Sequence, residues 1–306
     1  RTNAQSRAFE DSLRKRNIPY RVYGGLSFYQ RKEIKDVLAY LRLIINENDE
    51  EAFKRVINFP ARGISQTTIN KLVVQANTTN VSLFSLCKDL DRIEVNISTA
   101  IKSKVSNFIN LIESFKISAR TKNAFDIANE VVNNTGIIKT YSALTSIEDQ
   151  AKIQNIEEML NGIKDFVEIQ KEIPESTGSI SEFLEDVALA TDLDKDDQDT
   201  NKVALMTIHL AKGLEFPIVY IVGLEENLFP SAMNLNSRND LEEERRLFYV
   251  ALTRAEKEAY LSYALSRYRW GKLTDSEPSR FIDEINEEYL EILTPINENK
   301  FNTLIR

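Results

Sequence analysis

The chain has 306 residues, of which 42% are hydrophobic and 28% charged, with a formal net charge of −8. That length suits one large or two ordinary domains, each able to bury a core, and the composition is that of a soluble globular protein. No apolar run approaches the roughly 18 residues of a membrane helix, and the acidic balance excludes a broad basic coat for nucleic acid while leaving room for a local groove.

In chain order, residues 3–16 read as a helix and Ile18-Pro-Tyr-Arg-Val-Tyr23 as a strand ending at Gly24-Gly25. Arg31 to Asn46 predicts a strong amphipathic helix, because Ile34, Val37, Leu38, Leu41, Ile44 and Ile45 recur at i, i+3, i+4, i+7 spacing. Asn46-Glu-Asn-Asp49 interrupts the pattern, and Glu50 to Ile57 predicts a short helix. From about residue 66 the signals are helical only. Ile101, Val105, Phe108, Ile112 and Phe115 form one apolar stripe, and Ile153, Ile156, Leu160, Ile163 and Val167 form another. The single cysteine, Cys87, permits no internal disulfide, fits a reducing cytoplasm and reads as a small core residue beside Leu83, Phe84 and Leu86. The acidic run Asp192 to Asp199 reads as a linker.

Strand signals then return. Val203 to Ile208 and Ile218 to Val222 are apolar and β-branched, as expected of strands buried on both faces of a parallel sheet. A helix is expected from Leu241 to Ala255 and a strand near Ala259 to Tyr263. One α/β domain interrupted by a helical insertion accounts for this order. Strands near 18–23, 203–208, 218–222 and 259–263 are expected to share one sheet. The expected division is 1–90 with 200–295 for the α/β domain, 91–199 for the all-helical insertion, and 296–306 for a tail.

Several segments bear chemistry. Glu242-Glu-Glu-Arg-Arg on a helix reads first as a solvated, ion-paired face. Arg254, at that helix's end, offers a planar fork that matches phosphate oxygens. Lys212-Gly213-Leu214-Glu215 lies between two strands and reads by itself as a turn with solvent-facing charges. His209 is the only histidine, and with no cysteine pair beside it there is no zinc-site pattern. Asn58-Phe-Pro-Ala-Arg-Gly-Ile-Ser65 precedes a helix whose first N–H groups suit a phosphate. Arg62 and Gly63 lie in that turn, and Thr67 and Thr68 just inside the helix; the plainer alternative is an N-cap and nothing more. Nowhere does the chain carry the phosphate-cradling G-x-x-x-x-G-K-[ST] loop.

Two of these stretches, Val203-Ala-Leu-Met-Thr-Ile-His-Leu-Ala-Lys-Gly-Leu-Glu-Phe-Pro217 and Glu242-Glu-Glu-Arg-Arg-Leu-Phe-Tyr-Val-Ala-Leu-Thr-Arg-Ala255, resemble motifs V and VI of superfamily 1 DNA helicases of the UvrD/PcrA/Rep type. The two lie about 25 residues apart. Tyr23-Gly-Gly-Leu-Ser-Phe-Tyr-Gln-Arg-Lys-Glu-Ile-Lys-Asp-Val-Leu-Ala-Tyr-Leu-Arg42 is similar to the same family nearly residue for residue. Asn58 to Ser65 resembles its Pro-x-Arg-Gly-Ile-Gly turn, with Ser65 in place of the last glycine, and Arg1-Thr-Asn-Ala-Gln-Ser-Arg7 resembles the end of its motif IV. The match covers about 1–75 and 200–285. The helical middle rests on position and helical character, and the closing residues, from about 286 to 306, match nothing specific.

The resemblance implies the second RecA-like (P-loop NTPase-type) motor domain, with its helical insertion, of an ATP-dependent 3′-to-5′ DNA helicase that translocates on single-stranded DNA and unwinds duplex. It implies ATP with Mg2+ as cofactors, the Mg2+ ligands coming from an N-terminal motor half that also supplies the phosphate loop. By position, Arg254 and Arg1 serve the triphosphate, and Gly213 and Glu215 lie at the nucleotide, Glu215 touching its sugar. Thr207, His209 and Lys212 face single-stranded DNA or couple it to the nucleotide. Arg62, Gly63, Thr67 and Thr68 meet a DNA phosphate. Implied partners are single-stranded DNA and its junctions with duplex, the N-terminal motor domain, and repair or replication proteins at the helical insertion. A membrane is not among them, and a cytoplasmic location follows. Opening at Arg1 inside a motif, the chain is expected to be a fragment, inactive alone for ATP hydrolysis and unwinding. Two other readings stay open: a DNA- or protein-docking module that works without ATP, and the motor part of a helicase–nuclease subunit, although no nuclease motif is visible.

Overall fold

A computed structural model of the chain describes residues 5–93, 95–143, 146–193, 201–235 and 237–292. The elements begin with α1 (Ser6–Lys15), β1 (Tyr20–Val22), α2 (Lys32–Ile45), α3 (Glu50–Val56), α4 (Gln66–Thr79) and α5 (Leu83–Lys88). A helical run follows: α6 (Thr99–Ser118), α7 (Ala124–Thr135), α8 (Ile137–Ser142), α9 (Ile147–Gln170) and α10 (Ile180–Leu193). Then come β2 (Val203–Leu205), α11 (Ile208–Ala211), β3 (Phe216–Val222), α12 (Arg238–Leu252) and β4 (Ala255–Ser262). The chain closes with β5 (Ser266–Arg269), β6 (Lys272–Asp275) and α13 (Arg280–Asp283). Arg1, most of the acidic run after Asp192, and the 296–306 tail lie outside the described residues.

The helices start where short polar side chains satisfy their first N–H groups. Asp49 accepts from the Ala52 amide at 2.9 Å, Asn123 from Asp126 at 3.0 Å and Ser146 from Asp149 at 3.1 Å. Their apolar stripes then meet in one core. Val105, Phe108, Ile112 and Phe115 of α6 are buried, as are Ile156, Leu160, Ile163 and Val167 of α9. On α2 the expected stripe is buried from Ile34 to Ile44, while Ile45 is 46% exposed at the helix end. Phe53 packs edge-on against Phe84 and Phe108, with ring centroids 6.2 and 5.6 Å apart. Each such side chain removed from water contributes about 1.5–3 kcal/mol. Cys87 is buried in this core, and burial pushes its thiol up to about 12. The core runs without a break from Phe28 to Val187 and is not interrupted at residue 90.

By contrast, α1 docks on α9 through charge. Its buried residues are Arg7 and Glu10. The Arg7 guanidinium meets Glu158 at 2.9 Å, Asp11 at 3.1 Å and Asp165 at 3.3 Å. It lies where a Cβ on Gly162 would stand, 2.5 Å from its Nη1. A side chain at 162 would therefore displace the fork.

The strands depart from expectation. β1 pairs in parallel with β2, and β3 in parallel with β4, giving two separate two-stranded sheets among the described residues rather than one sheet of four. β2 is only three residues long because the backbone turns into α11 at Ile208, so the predicted strand to Ile208 is cut short. Nor are these strands buried on both faces. Val203 is 42% exposed, Ile218 50% and Tyr220 68%. Tyr220 instead stacks on Tyr260, centroids 4.7 Å apart, across the register of β3 and β4. No strand falls between residues 100 and 190 among the described residues. The chain is thus a mixed helix–strand protein with small parallel sheets.

The described residues form two compact units: 5–210 with Tyr268–Thr274, and Ala211–Arg267 with 275–292. The larger holds the helical core and the β1–β2 pair. The smaller holds β3, α12 and β4 around an aromatic group, Phe229, Phe248 and Phe281, with centroids 5.6–6.1 Å apart. The β5–β6 hairpin was not anticipated. Its turn residues Trp270 and Gly271 have φ of 49° and 74°, the positive-φ pair that a two-residue hairpin loop requires.

Candidate nucleotide and nucleic-acid sites

In the smaller unit, the fold brings Arg254 to the turn that carries Lys212, Gly213 and Glu215. Arg254 follows the end of α12, and its carbonyl accepts from the Phe216 amide at 2.9 Å, where β3 and β4 begin to pair. Its guanidinium reaches back over the helix end. Nε donates to the Val250 carbonyl at 3.1 Å and Nη2 to the Thr253 hydroxyl at 3.0 Å. Nη1 donates to the Leu214 carbonyl at 2.8 Å. Arg254 therefore joins the end of α12 to the Gly213-Leu214-Glu215 turn. Among the described residues each nitrogen has one partner, which leaves Nη1 and Nη2 a second N–H each. Nearby, Gly213 sits at φ 86° with open space where a Cβ would be, so backbone conformation alone demands glycine. Lys212 and Glu215 are exposed. A cationic fork beside an exposed carboxylate is suited to a phosphate oxygen on one side and a hydroxyl donor on the other.

The charged run in α12 splits three ways. Glu242 pairs with Arg245 at 2.6 Å and Glu243 with Arg246 at 2.8 Å, both at i,i+3, which is the solvated face expected of such a sequence. Arg245 also holds Glu284 through two bonds of 2.6 and 2.8 Å. Glu244 is buried and accepts from the Asn234 amide and the Ser231 N–H.

The larger unit holds the other residues. Thr207 is half-buried just before α11, and His209 is exposed on that helix. The second cluster lies at the start of α4. Ser65 caps it, accepting the Thr68 amide at 3.2 Å. Ser65 has φ −73°, a conformation open to any residue, so the serine replacing the family's glycine costs the backbone nothing. Gly63 takes the positive φ of 71°, and a Cβ there would lie 2.6 Å from the Lys104 ammonium. Thr67 is exposed, whereas Thr68 is buried with its hydroxyl 3.1 Å from that of Ser65.

Arg62 turns inward. Its Nη1 donates to the carbonyls of Val56 (3.0 Å), Pro60 (3.1 Å) and Ile57 (3.3 Å), and its Nη2 to the Tyr40 hydroxyl at 2.7 Å. The guanidinium carbon stands 5.1 Å from the Phe108 ring centre. Asn58 completes the arrangement, its Oδ1 accepting from the Arg62 and Ile64 amides at 2.9 and 3.0 Å. Burial raises the Tyr40 hydroxyl's pKa while Arg62 opposes the shift. Sequence reasoning missed Asn58, Tyr40 and Lys104. Asn58 carried a signal, since Asn at the head of a turn binds amides ahead of it. Tyr40 and Lys104 did not, being distant along the chain.

Parallel strand pairs, one of them joined through a helix followed by the Arg254 fork, define a mixed α/β protein. Comparison with known proteins makes the class specific. The model of the UvrD-like helicase C-terminal domain matches residues 1–266. The ATP-dependent DNA helicase PcrA of Leuconostoc citreum is 41% identical over 292 residues, covering 95% of this chain and 39% of that protein. The proteins of the same name from Staphylococcus aureus and Staphylococcus epidermidis are 40% identical over 293 residues, with the same coverage. The chain belongs to the UvrD-like helicase C-terminal domain family, and it spans 39% of the length of these relatives. No described helix is long and apolar enough to cross a membrane.

Proposed function

We propose that this chain is the C-terminal motor part of an ATP-dependent DNA helicase, which steps 3′-to-5′ along single-stranded DNA and unwinds duplex. The β1–β2 and β3–β4 pairs belong to a RecA-like second motor domain, and the helices between β1 and β2 form its insertion. The observation that carries the reading is the Arg254 fork, fixed to the Leu214 carbonyl beside Glu215 with, among the described residues, an N–H to spare on each terminal nitrogen. Bound between this part and an N-terminal motor domain, ATP with Mg2+ supplies the free energy for stepping. Arg254, with Arg1 as a second cation, neutralises charge on the triphosphate. Glu215 accepts a hydroxyl proton of the nucleotide sugar at the Gly213 turn. Thr207, His209 and Lys212 face single-stranded DNA. Gly63 and Thr67, at the start of α4, face a DNA phosphate, with Arg62 and Thr68 behind them.

The chain carries no G-x-x-x-x-G-K-[ST] loop, so by itself it is expected neither to hydrolyse ATP nor to unwind DNA. The test is steady-state ATPase, with and without single-stranded DNA, on the purified chain and on the parent enzyme. DNA-stimulated turnover by the chain alone would contradict the reading, as would a parent without any.

A further inference from the structure

The hydroxyl of Thr253 stands between the end of α12 and the Arg254 fork. It donates its one proton to the Val250 carbonyl at 3.1 Å and accepts from Arg254 Nη2 at 3.0 Å. Arg254 Nε donates to the same Val250 carbonyl, also at 3.1 Å. These three bonds close a ring through Nε, the guanidinium carbon, Nη2, the hydroxyl and the carbonyl. Nε and Nη2 lie in one rigid plane, so the ring sets the tilt of the guanidinium as well as its place. The Leu214 carbonyl, 2.8 Å from Nη1, holds the remaining nitrogen.

A threonine near a helix end often bonds back to a carbonyl on the preceding turn, which alone is local capping. Here that bond determines a second one. With its proton spent on Val250, the hydroxyl presents only lone pairs outward. A lone pair suits the cationic Nη2 and repels a phosphate oxygen. Thr253 is exposed, but its hydroxyl is therefore set to hold the arginine rather than to meet an anion. Valine has the same branched shape at Cβ and no acceptor.

We infer that Thr253 is a positioning residue for Arg254, orienting the fork for the transferring phosphoryl group without touching the nucleotide. The inference rests on the reading of Arg254 as the cation that meets the triphosphate. A group that stabilises developing charge works best when it is already oriented, because turning it during the reaction costs part of what it contributes. Loosening it therefore lowers turnover and leaves substrate binding largely as it was.

The experiment is steady-state and single-turnover ATP hydrolysis by the parent enzyme at saturating single-stranded DNA, with thermal melts of the same proteins by circular dichroism. Thr253→Val is expected to lower kcat about tenfold, the size of one charge-assisted hydrogen bond, with the KM for ATP within about threefold of wild type. Thr253→Ser keeps the hydroxyl and is expected to turn over within about threefold of wild type. In an Arg254→Ala background, Thr253→Val is expected to change the single-turnover rate by less than about twofold, because the group it orients is gone. Wild-type kcat in Thr253→Val would overturn the inference. So would an equal loss in Thr253→Ser, which would show that the hydroxyl is not what matters. A further loss of about tenfold on top of Arg254→Ala would mean that Thr253 acts independently of the fork, and would overturn it too. Should Thr253→Val not fold, Thr253→Ala takes its place in both backgrounds. Wild-type turnover in Arg254→Ala alone would remove the reading of Arg254, and the inference with it, a result obtained without any change at Thr253.

Discussion

Two arginines beside positive-φ glycines, Arg62 near Gly63 and Arg254 near the Gly213 turn, are anchored to backbone carbonyls in opposite senses. Arg62 gathers three carbonyls on one nitrogen and lies by the Phe108 ring. Among the described residues Arg254 has one partner on each nitrogen, two at the end of α12 and one at the Leu214 carbonyl, and is half-buried as Arg62 is. The first arrangement closes a turn. The second holds a fork in place while leaving it able to take an anion. The same residue type beside the same kind of turn thus separates into an internal brace and an outward group by what surrounds it.

The largest expected effect tests the outward member. In the parent enzyme, Arg254→Ala should lower ATP turnover by about 10³ to 10⁵, the range for removal of an arginine that stabilises phosphoryl transfer. Arg254→Lys should restore little, because the ammonium lacks the fork. Retained circular dichroism and retained binding of single-stranded DNA would confirm that the fold survives. Turnover within about threefold of wild type, roughly 0.7 kcal/mol, would return Arg254 to a helix-capping role.

Next in size is the surface beneath the brace. Phe108 is buried under both Phe53 and the Arg62 guanidinium. Phe108→Ala should cost about 3–5 kcal/mol of stability in urea unfolding, from lost transfer energy and the cavity left behind. Tyr220→Ala, on the open face of β3, should stay within about 0.5 kcal/mol. Equal costs at the two sites would mean that the exposed face of β3 is covered in solution.

Why some of this could be read from the sequence and some could not follows from distance along the chain. The stripes of α2, α6 and α9 were legible because residues three and four apart share a helix face. Motif matches marked Gly213, Glu215 and Arg254, and the structure places Arg254 against the Leu214 carbonyl of that turn. The strand pairing was not legible. Apolar β-branched runs say that a strand forms but not which neighbour it takes, and β2 stops where Thr207 leads into α11. Glu244 looks like its neighbours Glu242 and Glu243, yet it is buried because it falls on the inner face of α12 with Leu247 and Phe248. The β5–β6 turn was hidden because Trp270 occupies a positive-φ position usually taken by Asn, Asp or Gly. Arg62's inward turn depends on Tyr40 and Phe108, which no local pattern connects to it.

Two carboxylates repeat the contrast on a smaller scale. Glu215 is exposed, with no protein partner among the described residues. If its role is to accept from the nucleotide sugar, Glu215→Ala in the parent should weaken nucleotide affinity by about tenfold, one charge-assisted hydrogen bond, with stability unchanged. Equilibrium titration with a fluorescent ATP analogue measures it. An unchanged Kd would remove the sugar contact and leave Arg254 untouched.

Glu182 is the internal counterpart, and its expected effect is the smallest. It accepts from the Ser176 hydroxyl at 2.8 Å, the Thr177 hydroxyl at 2.9 Å and the amides of Thr177 and Ser179 at 3.2 and 3.4 Å. Its own amide donates to Ser179 Oγ at 3.4 Å, a reciprocal cap at the start of α10. The bond from the Ser176 hydroxyl leads the interactions that hold this carboxyl down at about 2, against an ordinary value of 4.5. A group lowered on folding stabilises the native state fully above its unfolded pKa and loses that contribution as pH falls through the folded value. The window is therefore pH 4.5 down to about 2. Glu182→Gln should melt about 1–2 °C below wild type at pH 7. The gap should narrow steadily as pH falls from about 5 toward 2, because the wild-type carboxyl takes up a proton there and the amide does not. Parallel melting curves across that range would show that ionised Glu182 does not hold the loop, and that the cap works through shape alone.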